Sequence, residues 1–189
     1  MADLTTTAKV KATLGRTDSG DDTQLGLLVT KASAWIENYC DRIFGTASYT
    51  EYLTGGGDDL LYPKHWPVTS ITSVNYDTGK DWDTGTAVDS GDLFILSDTM
   101  IQALGYIFSQ TALGAVKVVY VAGYATIPAE IEHAANVLTC QMFKQAKGER
   151  FGLTGQVLSA AAGAVKVDII IDLPPDVKSI LEKYRRQPL

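Results

Sequence analysis

Residues 116–131 read Val-Lys-Val-Val-Tyr-Val-Ala-Gly-Tyr-Ala-Thr-Ile-Pro-Ala-Glu-Ile, and this stretch decides the fold. Its first half is rich in β-branched and aromatic residues, which favour an extended strand. Gly123 permits a backbone turn that a side chain would resist, and Pro128 suits the first turn of a helix. A strand, a turn and a helix are therefore predicted in succession. The stretch has no nucleophile beside a base, no metal cluster and no phosphate cradle, which favours a structural or interaction protein.

Four helices are predicted along the chain. A short helix over 5–14 ends before a glycine, and a longer helix over 22–41 takes Asp22 as its N-cap. The helix over 128–147 has acidic residues in its first turn, lysines in its last turn and a glycine after it, which match the helix dipole. The final helix covers 175–186. Apolar residues recur at spacings of three and four in these helices, so they have a face suited to a core.

The period changes after residue 48, where short segments rich in β-branched and aromatic residues are separated by Gly and Asp turns. We interpret these segments as one small antiparallel sheet. Residues 97–113 are ambiguous, since Met100, Ile101, Leu104 and Phe108 could make either a short helix or a covering loop. The strand-like segments are residues 49–53, 60–62, 70–76, 93–96 and 115–121.

The predicted fold class is therefore α+β, mainly an α-helical bundle of about four helices, with an inserted small antiparallel β-sheet between the second and third long helices. The chain has 189 residues and is 46% apolar, which suits a single domain over 1–189 with a β insertion at about 49–121. Residues 151–163 are rich in Gly and Ala, whereas residues 165–171 alternate like a strand. We interpret 151–171 as a flexible or strand-forming segment.

Charge is distributed unevenly along the chain. The formal net charge is −6, which argues against a protein that holds nucleic acid over a broad surface. Residues 48–98 contain nine acidic side chains and two lysines, whereas residues 144–186 contain eight basic and five acidic side chains. The two regions are therefore suited to different partners, although such an excess is also typical of a plain solvated face.

The sequence contains few residues that could perform chemistry. His65 and His133 have no further ligand at metal-binding spacing, and neither a nucleophile elbow nor a phosphate-binding glycine motif is present. Cys40 and Cys140 are isolated thiols in predicted helices, which is typical of small buried apolar residues. The first residues lack a secretory signal, and the longest uncharged run is too polar to span a bilayer. We therefore expect no enzyme activity, no cofactor, no metal and no membrane partner.

Four blocks of sequence carry a resemblance to a known family. In this order and spacing they resemble the head-tail connector proteins, also called adaptor or head-completion proteins, of long-tailed bacteriophages, prophages and gene-transfer particles. Residues 97–113 and 153–171 match the family pattern poorly. The blocks are Ala-Ser-Ala-Trp-Ile-Glu-Asn-Tyr-Cys at 32–40, His-Trp-Pro-Val-Thr-Ser-Ile at 65–71, Val-Tyr-Val-Ala-Gly-Tyr at 119–124 with Ile-Pro-Ala at 127–129, and Leu-Pro-Pro-Asp-Val at 173–177 with Tyr-Arg-Arg at 184–186.

The resemblance implies a structural virion protein at the head-tail interface, made in the cytoplasm of the host bacterium. It implies a homo-oligomeric ring, usually of about twelve subunits, under a portal protein. The ring extends the DNA channel and provides a platform for a downstream stopper or tail-completion protein. The alternative from a different class is a small intracellular enzyme or ligand-binding domain, with a pocket lined by Tyr62, Trp66 and Tyr124.

The resemblance and the residue pattern together predict a portal-docking surface on the terminal helix. This helix combines an apolar stripe at positions i, i+3, i+4 and i+7 with a basic end that suits acidic portal residues. The alternative is that the stripe packs on the subunit's own bundle. The docking residues are Val177, Ile180, Leu181, Lys183, Tyr184, Arg185 and Arg186.

Two further surfaces are predicted for the ring. An inter-subunit strand would add to a neighbour's exposed sheet edge through Val165, Val167, Ile169 and Ile171. An acidic loop would face the channel and repel phosphates, so that DNA passes through without tight binding. The loop residues are Asp77, Asp81, Asp83, Asp89 and Asp92.

Overall fold

A computed structural model describes residues 3–82, 85–147 and 173–186, and the chain separates into two compact units. The helical unit consists of Met1–Arg42 and Ile127–Leu189. The β unit consists of Ile43–Thr126.

The described part of the helical unit contains four α-helices, as predicted. Their limits are α1 Thr7–Leu14, α2 Asp22–Cys40, α3 Ala129–Ala146 and α4 Pro175–Tyr184. The hydroxyl of Thr6 accepts a hydrogen bond from the backbone N–H of Lys9 and caps α1, and Gly15 ends it with a φ of +66°.

The start of α2 differs in one detail from the predicted cap. The N-cap residue is Asp21 rather than Asp22, and its side chain makes no capping hydrogen bond. Its carboxylate instead accepts from Arg16 at 2.8 Å and from Lys147 at 2.7 Å. These contacts, Lys147 foremost, lower the pKa of Asp21. The carboxylate of Asp21 therefore pairs with two cations instead of capping the helix.

The core of the helical unit is formed by the apolar stripes of the helices. Val10, Leu25, Val29 and Phe143 form one buried cluster. Leu138 continues the buried stripe of α3. Because side chains three and four positions apart share one helix face, this packing follows directly from the spacing in the sequence. Within the described residues, no helix combines the length and the hydropathy needed to cross a membrane.

The β unit contains seven strands among its described residues, and all their pairings are antiparallel. They form a four-stranded sheet of order β1-β7-β3-β4 and a three-stranded sheet of order β2-β6-β5. The strands are β1 Ala47–Leu53, β2 Leu60–Leu61, β3 Val68–Tyr76, β4 Thr86–Ala87, β5 Leu93–Ser97, β6 Met100–Ala103 and β7 Val116–Ala122.

The predicted fold class is wrong, because a mainly helical bundle with one inserted sheet does not describe two sheets within the described chain. Sheet membership depends on partners that are distant in sequence, and a local pattern does not specify them. β6 lies within residues 97–113, for which the sequence predicts a short helix or a loop. Met100, Ile101 and Leu104 have helix-like spacing, but β6 pairs with both β2 and β5, and these pairings supply its backbone hydrogen bonds.

Strand β7 is the central element of the β unit. Val116, Val118, Tyr120 and Ala122 are all buried, and they alternate with less buried side chains along the strand. Gly123 follows with a φ of +111°, and a Cβ atom at this position would clash with the backbone oxygen of Gly45. The chain therefore turns where the sequence predicted a turn, and a side chain is excluded there by conformation and by space.

Candidate interaction surfaces

Helix α4 directs half of its predicted apolar stripe inward. Val177 and Leu181 are fully buried, whereas Ile180 and Tyr184 are partly buried. The helix packs against α2 and α3, and the thiol of Cys40 donates to the backbone carbonyl of Leu181 at 3.7 Å. Val177 and Leu181 therefore belong to the subunit's own core, which was the alternative interpretation of the stripe.

The basic end of α4 lies at the surface, where its cations pair with carboxylates. Lys183 Nζ lies 2.9 Å from Glu130 Oε2, and the hydroxyl of Tyr184 donates to the same oxygen at 2.9 Å. These two contacts, with Lys183 the larger cause, lower the pKa of Glu130. Arg185 and Arg186 lie 3.8 Å and 3.7 Å from carboxylate oxygens. Exposed pairs of this kind contribute little to stability, so other anions can replace their partners at low cost.

The described members of the predicted acidic loop fall in two separate turns. Asp77 accepts hydrogen bonds from two backbone N–H groups, at 2.9 Å and 2.7 Å, and the second of these belongs to Asp81. Asp89 accepts from a backbone N–H at 2.8 Å, and its carbonyl accepts from the N–H of Asp92 at 3.0 Å. Asp83 lies outside the described residues. The carboxylates of Asp77 and Asp89 thus have a local role in turn formation in addition to their charge.

Strand β5 forms an apolar surface that the sequence prediction missed. Phe94, Ile95 and Leu96 are 45%, 41% and 51% exposed, and β5 is an edge strand of its sheet. We call these three residues the apolar edge. The available signal was the unbroken apolar run from 93 to 96, since a strand with one wet face normally alternates apolar and polar residues. Such a run predicts a strand whose side chains are buried on both faces of the sheet. In β5 the side chains of the apolar edge are instead exposed.

The polar groups around Tyr120 hold the local structure in place. The hydroxyl of this buried tyrosine accepts from the backbone N–H of His65 at 3.1 Å, and burial raises its pKa. The ring of Tyr49 stacks on His65 with centroids 3.8 Å apart, and His65 Nε2 lies 3.6 Å from Glu51 Oε1. A neutral phenol that supports a turn is not an activated nucleophile. Among the described residues, no group of three or more His, Cys, Asp or Glu side chains is placed to hold a metal ion.

Both cysteines are free thiols, as the sequence predicted. Cys40 is buried, and this burial raises its pKa to about 11. Burial also raises the pKa of Cys140. Because the thiolate is the reactive form, neither side chain is primed for nucleophilic or redox chemistry.

The aromatic residues of the alternative hypothesis do not share a common environment. Tyr62 is 48% exposed, and Tyr124 stacks on Phe44 with centroids 6.5 Å apart. A shallow cavity of about 180 Å³ lies on the helical unit and is lined in part by Leu14 and Cys140. The predicted inter-subunit strand, with Val165, Val167, Ile169 and Ile171, lies outside the described residues.

Three comparisons bear on identity. Residues 3–187 match the head completion protein family. No curated protein sequence matches significantly. Among solved structures, the neck of an empty gene transfer agent particle, computed with C6 symmetry, has a TM-score of 0.59 at 20% identity, and the match covers 96% of this chain and 89% of that chain. The neck of a native particle, computed with C12 symmetry, has a TM-score of 0.57 at 19% identity, with coverage of 96% and 88%.

A third structure, the virion of a native gene transfer agent particle, has a TM-score of 0.58 at 20% identity, with coverage of 96% and 89%. At these identities the likeness shows a shared fold. The family match spans nearly the whole chain and agrees with the four sequence blocks that carry the connector resemblance. The chain therefore belongs to the head completion protein family, and it is a structural protein of the head-tail connection rather than an enzyme.

Proposed function

We propose that this protein forms a homo-oligomeric ring of twelve copies in the virion, between a portal protein and a downstream stopper or tail-completion protein. Each subunit acts as one connector domain over residues 1–189, and the ring extends the DNA channel. The main support is the family match over residues 3–187, together with a fold shared with necks computed with C6 and C12 symmetry.

In this proposal, the exposed end of α4 docks on the portal. Val177 and Leu181 fix the helix to its own unit, while Lys183, Arg185 and Arg186 present cations at its end. Their surface ion pairs exchange readily for acidic portal side chains, because exposed pairs are weak. Ile180 and Tyr184, which are partly buried, contribute the apolar rim of the contact.

The acidic turns of the β unit line the channel in this proposal. Asp77, Asp81, Asp83, Asp89 and Asp92 carry negative charge, and each copy adds a formal net charge of −6 to the ring. Such a lumen repels phosphates and lets the duplex slide, an effect that salt weakens. Tight, sequence-independent binding of duplex DNA by the assembled ring at physiological salt would contradict this assignment.

Ring formation is tested with the purified full-length chain, alone and with its portal protein, by light scattering and by symmetry analysis of negatively stained particles. We expect closed rings of twelve subunits in at least one of these conditions. A chain that stays monomeric in both conditions would overturn the proposed function.

Portal docking is tested with the double variant Lys183→Glu/Arg185→Glu. Its matched control is Lys31→Glu/Lys64→Glu, which makes the same charge change at two exposed lysines far from α4 in sequence. We expect the first variant to lose portal affinity by tenfold or more, on the order of 1.4 kcal/mol, because close charge pairs at interfaces can contribute this much. The control should bind like the parent chain. Equal affinity of both variants would remove α4 from the docking surface.

A further inference from the structure

The apolar edge lies on an edge strand that meets β3 only at its end, where the backbone N–H of Val68 donates to the carbonyl of Asp98 at 2.8 Å. Proteins usually blunt such edges with lysine, proline, a bulge or a covering element. β5 reads Leu-Phe-Ile-Leu-Ser and contains neither lysine nor proline. A bulge lies between Ile95 and Ser97, at one end of the strand, and the rest pairs regularly with β6. On the other side of β5, the described part of the chain supplies no further strand to the sheet.

The outer face next to this edge is also apolar. Phe94 pairs with Gln102 of β6, next to the pair formed by Ile95 and the buried Ile101. Because successive side chains of a strand point to opposite faces, Gln102 lies on the face opposite Ile101. Leu104 follows Gln102 by two positions and therefore lies on the same face, where it is 53% exposed. Leu96, the extra residue of the bulge, adds a further exposed apolar side chain at the end of β5. Exposed apolar side chains grouped near one strand edge are typical of an interaction site.

The other sheet edges are less suited to pairing. β2 and β4 contain two residues each, which is too short for a stable added strand. β1 is longer, but its exposed side chains alternate with half-buried ones, and Glu51 accepts from the backbone N–H of Lys64 at 3.0 Å. β5 is therefore the edge at which a partner strand would bury the most apolar surface.

The chain has a long segment available as that strand. The chain between α3 and α4 includes residues 148–172. Connections between helices of a bundle usually contain about two to eight residues, so this one is far longer than usual.

The sequence of this connection matches the apolar edge. Residues 165–171 read Val-Lys-Val-Asp-Ile-Ile-Ile, with β-branched residues at every second position. In an added strand, Val165, Val167, Ile169 and Ile171 would share one apolar face.

We propose that β5 of one subunit accepts residues 165–171 of a second copy of this chain as an added strand. The inference rests on the proposed ring, and it assigns the acceptor surface within it. Backbone hydrogen bonds along β5 give the contact its affinity, and the apolar side chains of both strands exclude water from it. Each subunit donates one strand and accepts another, so the contact is heterologous and can close into a ring.

The first test substitutes the apolar edge in the full-length chain. Phe94→Lys and Leu96→Lys place charges on the acceptor strand, and the control Leu27→Lys makes the same change on helix α2, where Leu27 is 62% exposed. We expect both β5 variants to raise the concentration for half-maximal assembly about tenfold or more, because interface anchors are worth this much. The control should assemble like the parent chain, and all three should melt like the parent monomer.

The second test locates the donor strand by cross-linking within assembled rings. Leu96→Cys is combined with Val165→Cys, Val167→Cys or Ile169→Cys, and single-cysteine variants account for Cys40 and Cys140. We expect at least one pair to give a ladder of covalent oligomers on oxidation. Rings that assemble normally with lysine at β5, or that cross-link only within one chain, would overturn this inference and leave the proposed ring intact. Failure of the parent chain to form rings in any condition would overturn both.

Discussion

The two units differ in how many large apolar side chains they leave exposed to solvent. In the helical unit, charged side chains cover the outside through pairs such as Lys11 with Asp22 and Arg16 with Asp21, and Leu27 is its only large apolar side chain among the described residues that is strongly exposed. In the β unit, strongly exposed apolar side chains are common: Ile43, Tyr52, Tyr62, Phe94, Ile95, Leu96, Leu104, Ile107 and Leu113. In its described part, the helical unit therefore buries nearly all of its large apolar side chains, whereas the β unit leaves apolar side chains exposed where a partner could cover them.

The largest effect expected from this contrast concerns two leucines. Leu181 of the helical unit is fully buried, whereas Leu96 of the β unit is 51% exposed. Leu181→Ala should lower the free energy of unfolding of the isolated subunit by about 2–5 kcal/mol, because it removes buried methyl groups and leaves a cavity. Leu96→Ala should change it by less than about 0.5 kcal/mol, as is usual at the surface.

Urea denaturation of the isolated subunit measures both values. Lys178→Ala, an exposed change on the same helix as Leu181, controls for altered helix propensity. If Leu181→Ala unfolds at the parent's urea midpoint, then α4 is not part of the core, and its apolar stripe is available for docking.

A smaller effect separates two glycines that both have positive φ. Gly123 of the β unit has no space for a Cβ atom beside Gly45, whereas Gly15 of the helical unit has no neighbour within 4 Å. Gly15→Ala should cost about 1 kcal/mol, the conformational penalty of a left-handed residue. Gly123→Ala should cost roughly 2–4 kcal/mol, since overpacking adds to that penalty. Equal losses in urea denaturation would show that the backbone around Gly45 adapts freely.

The sequence was informative where structure depends on near neighbours. The helices, the turn at Gly123 and the strand character of residues 116–122 follow from local spacing, and the structure has them. The division into two sheets did not follow, because β1 pairs with β7 across a long stretch of chain. The same limit applies to the apolar edge. An apolar run at 93–96 indicates a strand, but its exposure depends on which elements cover it, and tertiary packing alone determines that.

The smallest expected effect concerns the surface of the helical unit. Lys183 and Tyr184 lower the pKa of Glu130 from its usual 4.5, so its ionised form favours the folded state. This contribution is complete above the unfolded pKa and is lost as the pH falls through the lowered folded pKa. Glu130→Gln should therefore be slightly less stable than the parent chain at pH 7, and the difference in urea midpoint should shrink as the pH falls through the lowered pKa of Glu130, because the protonated carboxyl resembles the amide. High salt at pH 7 should narrow the difference in the same way, since the pair is exposed. A difference that persists unchanged at low pH would mean that Glu130 stabilises the helical unit through side-chain packing and not through its charge.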